Sequence, residues 1–125
     1  GDISAPNGVV SPESAVGTHD KRSSHKQLVE QLRRNLTSYY VDLPLCIQQC
    51  TETINAAQQT DDAVILAIAR MQRSAANLRH FGFEECRPDF EKAIRVRIHP
   101  DEPELVLLYE IARTTVDNRH IGHQS

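Results

Sequence analysis

The sequence predicts an all-α fold, a compact bundle of four to five short helices preceded by a flexible N-terminal arm. Three observations lead there. Gly (5 of 125) and aromatic residues (5%) are too scarce for a sheet-rich chain, while Ala, Leu, Gln and Arg are plentiful. Apolar residues recur three and four apart rather than in alternation. Helix-start residues precede several of those apolar stretches. The length suits one domain.

Residues 1–22, with Pro6, Gly8, Pro12 and Gly17 and no apolar period, read as the arm. The bundle is expected over 23–116. Leu28, Leu32 and Leu36, followed by Tyr39 and Tyr40, predict a first helix near 24–40 with Ser23 or Ser24 at its start. Asp42 is a candidate cap and Pro44 fits a first turn, so a second helix is expected near 43–58 with Leu43, Ile47, Cys50, Ile54 and Ala57 inward. Thr60-Asp61-Asp62 starts a third near 61–80, the most buried, through Val64, Ile68, Met71, Ala75 and Leu78. Gly82 then offers a left-handed cap. A fourth helix carries Cys86, Phe90, Ala93 and Ile94 as far as Ile98. It is expected to start near Arg87, because Pro88 belongs in a first turn. A fifth runs from Glu104 to Thr115, and 117–125 is expected to fray.

Charge is blocked. The net of −3 divides into −3 over 1–20, +4 over 21–34, −4 over 35–69, +3 over 70–98 and −3 over 99–125. An acidic chain is a poor general nucleic-acid binder, so direct nucleic-acid binding is not expected. No apolar run is long enough to span a membrane. The absence of a leading signal segment and the odd count of three cysteines suggest reduced thiols and an intracellular location. One modest core makes a monomer the expectation.

Catalytic and metal chemistry find little support. Cys46, Cys50 and Cys86 with six histidines supply ligand types but not ligand spacing, and core packing is the simpler reading of the thiols. Cys86, His80 and Asp89 would make a nucleophilic trio only if the fold gathered them. The acidic pairs Asp61-Asp62, Glu84-Glu85 and Asp101-Glu102 all sit where helix starts attract acid. Asn35-Leu36-Thr37 matches a glycosylation sequon. We therefore expect no enzyme, no cofactor and no metal.

Two features suggest binding. Arg70 and Arg73 share a face of the third helix, either solvated or available to an acidic partner. His80-Phe81-Gly82-Phe83 puts two rings beside a glycine where a helix ends, either plugging the bundle or walling a peptide groove.

Val41-Asp42 and Arg79-His80-Phe81-Gly82-Phe83, with Asn77-Leu78 ahead of the latter, resemble the two ligand-holding loops of a known family. It is the helical domain at the N-terminus of transcription elongation factor TFIIS, with the related integrase-binding domain of a chromatin-tethering coactivator. The resemblance covers residues 24–98. Its Trp and its Ile-Gly pair have no counterpart here. It implies a protein-interaction module that holds short acidic, Phe-containing disordered motifs of transcription or chromatin proteins, and a nuclear location. Val41, Phe81 and Phe83 would line the slot, Asp42 would accept peptide N–H groups, and Arg79 would meet ligand acids. The alternative is an adaptor or effector domain unrelated to transcription, binding an acidic partner through the Arg70–Arg73 face.

Overall fold

Helix α3 (Ala63–His80) buries side chains on nearly every side, from Ile65, Ala67, Ile68 and Ala69 to Met71, Gln72, Ser74, Ala75 and Ala76. A helix apolar all round belongs in the middle of a bundle. The structure, a computed structural model, describes the backbone of residues 13–99 and 101–124 and the side chains of 24–99 and 101–119. Among these it contains helices and no strand. Around α3 pack α1 (Glu13–Val41), α2 (Leu43–Gln59), α4 (Phe83–Ala93) and α5 (Pro103–Gln124), each in contact with it. The links between the first four helices are one to three residues long, which makes neighbours antiparallel. The start of α5 meets the middle of α1 through Arg33 and Glu104. Further on, Val116 shares a groove with Phe83 and Phe90 of α4. So α1, α3 and α5 run one way and α2 and α4 the other.

The caps explain the turns. Asp42 is extended (φ −156°) and its carboxylate accepts from the Leu45 N–H at 3.1 Å, with Pro44 in the first turn of α2. Asp62 does the same for α3, accepting from the Ile65 N–H at 3.2 Å. Each such cap satisfies an amide that the helix itself leaves unpaired. Glu102 accepts the Val106 N–H at 3.1 Å at the start of α5, and Pro103 takes the first helical position.

The core closes over Leu28, Leu32, Ile54, Ile65, Ile68, Met71, Leu105 and Leu108. Burying each large aliphatic side chain contributes about 1.5–3 kcal/mol. On α1 the buried positions are Leu28, Leu32, Asn35, Ser38 and Tyr39, while Leu36 is only half-buried. A strict i+4 leucine row advances about 40° round a helix at each step. The inward stripe therefore passes from Leu32 to Asn35, and a polar residue enters the core. Its amide donates to Thr53 Oγ1 at 3.2 Å and Gln72 Oε1 at 3.1 Å, and Gln72 donates to the Leu32 carbonyl at 2.9 Å. On α2 the inward face likewise turns to Cys46, Cys50, Thr53, Ile54 and Ala57, leaving Leu43 and Ile47 at its border.

The bounds of three helices differ from expectation. Helix α4 starts at Phe83 rather than near Arg87 and stops at Ala93 rather than Ile98, with Pro88 inside it. An interior proline costs about 3 kcal/mol in an isolated helix. Here Cys86, Asp89 and Ala93 are buried against α3, and that docking outweighs the lost hydrogen bond. Helix α5 continues past Thr115 to Gln124. Val116 is buried there, and Arg113 lies 3.7 Å from Glu110 and 3.9 Å from Asp117 along its face. Helix α1 reaches back to Glu13, into the segment read as an arm; residues 1–12 lie outside the described residues.

Candidate functional site

The C-terminal ends of α1 and α3 lie together, and most of the exposed large hydrophobic side chains among the described residues sit at or beside the turns that follow them. Six large hydrophobic residues are exposed among the described residues. Four of them sit here: Tyr40 (66%), Val41 (79%), Leu45 (40%) and Phe81 (63%). The other two, Ile94 and Leu107, lie outside these turns. Single exposed hydrophobics are ordinary on a protein surface, whereas a cluster marks a contact site.

Local geometry holds these side chains outward. Tyr39 takes the inward position at the end of α1, so its neighbours Tyr40 and Val41 must face away. The Asp42 N–H closes α1 on the Ser38 carbonyl at 2.8 Å, and its side chain opens α2. One residue thus ends one helix and starts the next. In the second turn the N–H groups of Phe81 and Gly82 both donate to the Asn77 carbonyl, at 2.8 and 3.0 Å. Gly82 then adopts φ +145°, ψ −173°, a region essentially closed to side-chain-bearing residues. It lets α4 begin with only two residues between it and the end of α3. Glu84 and Glu85 follow in the first turn, where acid favours the helix dipole.

Arg79 joins the two turns. Its guanidinium lies 5.5 Å from the Tyr39 ring centre, and Tyr39 meets Tyr40 edge to face at 5.1 Å. Cation–π contact at such a surface contributes about 0.5–1 kcal/mol. His80 and Phe81 form a second edge-to-face pair at 4.5 Å. Phe83 behaves differently from Phe81. It is half-buried in a groove with Cys86, Phe90 and Val116, with the Arg87 guanidinium 5.7 Å from its ring. Of the residues singled out in the sequence, Val41, Asp42, Arg79 and Phe81 share one end of the bundle, and Phe83 opens the helix beside them. Tyr40 and Leu45 were not singled out. Tyr40 lay hidden at the end of the leucine row, and Leu45 is off the α2 stripe.

The Arg70–Arg73 face is largely turned inward. Arg73 makes a two-pronged pair with Asp89, Nε to Oδ2 at 2.6 Å and Nη2 to Oδ1 at 2.9 Å, and donates from Nη1 to Thr51 at 3.0 Å. The Asp89 carboxylate holds the Arg73 pKa above its ordinary value, against an opposing effect of burial. Three of its five donors are thus used within the fold. Arg70 is half-buried.

The nucleophilic trio is not assembled among the described residues: Asp89 is paired with Arg73, and no contact joins Cys86 to His80, whose ring packs edge to face on Phe81. Burial pushes the Cys86 thiol up to about 11, so thiolate is scarce at neutral pH. Cys46 and Cys50 are buried with their sulfurs 3.9 Å apart. Among the described residues no set of three or more His, Cys, Asp or Glu side chains is placed to hold a metal ion. His19, His120 and His123 have side chains outside the described residues. Asn35 of the sequon is 1% exposed, which closes it to glycosylation in the folded chain. No described helix is long and apolar enough to cross a membrane.

The opposite end of the bundle carries a different chemistry that the sequence pattern did not announce. His25 lies between Asp62 and Glu102, and Arg33 pairs with Glu104 through two hydrogen bonds. These partners are 37, 77 and 71 residues apart in the chain, beyond any local signal. No protein-family model, curated protein or solved structure matches the chain. The reading of its site therefore rests on geometry and chemistry.

Proposed function

We propose that this chain is a non-enzymatic protein-interaction module. It holds short, disordered, acidic, Phe-containing motifs of transcription or chromatin proteins at the α1–α2 and α3–α4 turns, and it acts in the nucleus. One observation carries the reading: four exposed apolar side chains gather on two turns that the Arg79–Tyr39 contact joins. Val41, Phe81, Tyr40 and Leu45 offer apolar anchorage to an incoming ring, with Phe83 beside them. Arg79 has no carboxylate partner among the described residues and suits an acidic side chain. One Asp42 oxygen is used as the cap, and the other is available to a peptide N–H. Few and small anchors make such binding modest and quickly reversible.

The test is an amide NMR titration of the whole chain with acidic peptides containing one Phe. Shifts concentrated at 40–45 and 79–84 are expected. A well-dispersed spectrum without shifts there refutes the two-turn groove. The adaptor reading through Arg70 and Arg73 predicts shifts on the middle of α3 instead, and loses ground because Arg73 is paired.

A further inference from the structure

We propose that His25 is a proton-gated latch that fastens the start of α5 to α1 and to the α2–α3 turn. This goes beyond the binding site, which lies at the other end of the bundle. The geometry is specific. Nδ1 of His25 is 2.8 Å from Asp62 Oδ2, and Nε2 is 3.1 Å from Glu102 Oε2. Both neighbours are carboxylates, which accept and do not donate. A neutral imidazole carries one N–H and satisfies only one of them. The imidazolium carries two and satisfies both. The three residues come from α1, from the residue that caps α3, and from the residue whose carbonyl opens α5.

The surroundings favour charge on the ring. Acids meet it from both packed elements, Asp62 from the turn and Glu102 from the α5 side, while Asp101, Glu104, Glu30, Lys26 and Arg33 line the same cleft. Lys21 and Arg22 precede it by four and three residues in the sequence. The His25 pKa is raised above 6.5, chiefly by the hydrogen bond to Asp62, against an opposing effect of burial and with further help from Glu102. Deprotonation leaves one link of the latch unmade. The segment it frees borders a cleft of about 630 Å³ between α1 and α5, floored by Val29 and Leu105. Arg33 with Glu104 is a second polar link, solvent-exposed on both sides, while Leu28 and Leu32 of α1 and Leu105 and Leu108 of α5 share the apolar core.

The sign follows from linkage. A histidine whose folded pKa exceeds its unfolded value adds stability that is complete below the unfolded pKa and disappears as pH rises through the folded one. In the full chain, NMR should show the His25 ring titrating above pH 6.5, with the amides of 102–106 shifting at the same midpoint. His25→Gln should abolish that shift. Glu102→Gln should lower the His25 midpoint and remove the response of 102–106 while the Asp62 contact persists. A His25 midpoint at or below 6.5 overturns the latch. So does a shift of 102–106 whose midpoint is unchanged in either variant. If His25→Gln fails to fold, Glu102→Gln decides alone.

Discussion

Asp42 and Asp62 perform the same local task at opposite ends of the bundle. Each caps a helix by accepting the N–H three residues on, at 3.1 and 3.2 Å. They differ in their second oxygen. That of Asp62 is held by His25 at 2.8 Å, and the junction is further crossed by Glu102 and Glu104. That of Asp42 has no partner among the described residues, and its neighbours Tyr40 and Val41 face solvent. One end spends its polar groups on holding helices together. The other leaves polar and apolar groups unspent, which suits a surface that meets a partner. The 18 residues of α3 put about 27 Å between the two.

The largest expected effect is on binding. Phe81→Ala should weaken an acidic Phe-containing peptide by about 2 kcal/mol, roughly thirtyfold in Kd by calorimetry. Stability should move by less than about 0.5 kcal/mol, since the ring is exposed. Asp42→Asn keeps the cap and removes the charge, so it should weaken the peptide with little change in urea midpoint. A Phe81→Ala variant that binds as well as the unaltered chain would erase the functional contrast between the ends.

Next is the turn itself. Gly82→Ala should cost about 1–3 kcal/mol in urea denaturation, all of it from φ +145°. A Cβ there would meet only Glu85 Oε1, at 3.7 Å, so crowding contributes nothing. An unchanged midpoint would show that the α3–α4 turn relaxes freely.

The matched caps give the sharpest contrast. Asp62→Ala should cost about 1.5 kcal/mol at pH 6, about 1 from the cap and the rest from the partly exposed His25 pair. The loss should narrow toward about 1 kcal/mol by pH 8.5, because the raised His25 pKa makes its contribution one that fades as pH rises. Asp42→Ala should cost about 1 kcal/mol at both pH values. Parallel pH profiles for the two variants would mean that the ends differ less than their contacts imply.

Much of the fold was legible in the residue pattern. The start of α2 at Leu43 and the end of α3 at His80 follow from Asp42, Pro44 and Gly82, whose effects act within a few residues. The interior of α4 was not legible. Pro88 signals a helix start in any local reading, and only docking on α3 lets it stand inside one. The same holds for Asn35, which lies among leucines and reads as a surface residue until Thr53 and Gln72 arrive from other helices.

The site divides in the same way. Val41, Asp42, Arg79 and Phe81 stood out as turn residues, because turns are where a chain must declare special chemistry. That Arg79 lies over Tyr39, and so joins the two turns, is a tertiary fact. So are the loss of Arg73 to Asp89 and the meeting of His25 with Asp62 and Glu102. Sequence alone determined the helical class, the Asp42 and Asp62 caps and the short turns, because propensity and capping depend on near neighbours; the start expected at Ser23 or Ser24 falls inside α1. The tertiary structure decided which charges are spent and which exposed, because a charge finds its partner through space and not along the chain.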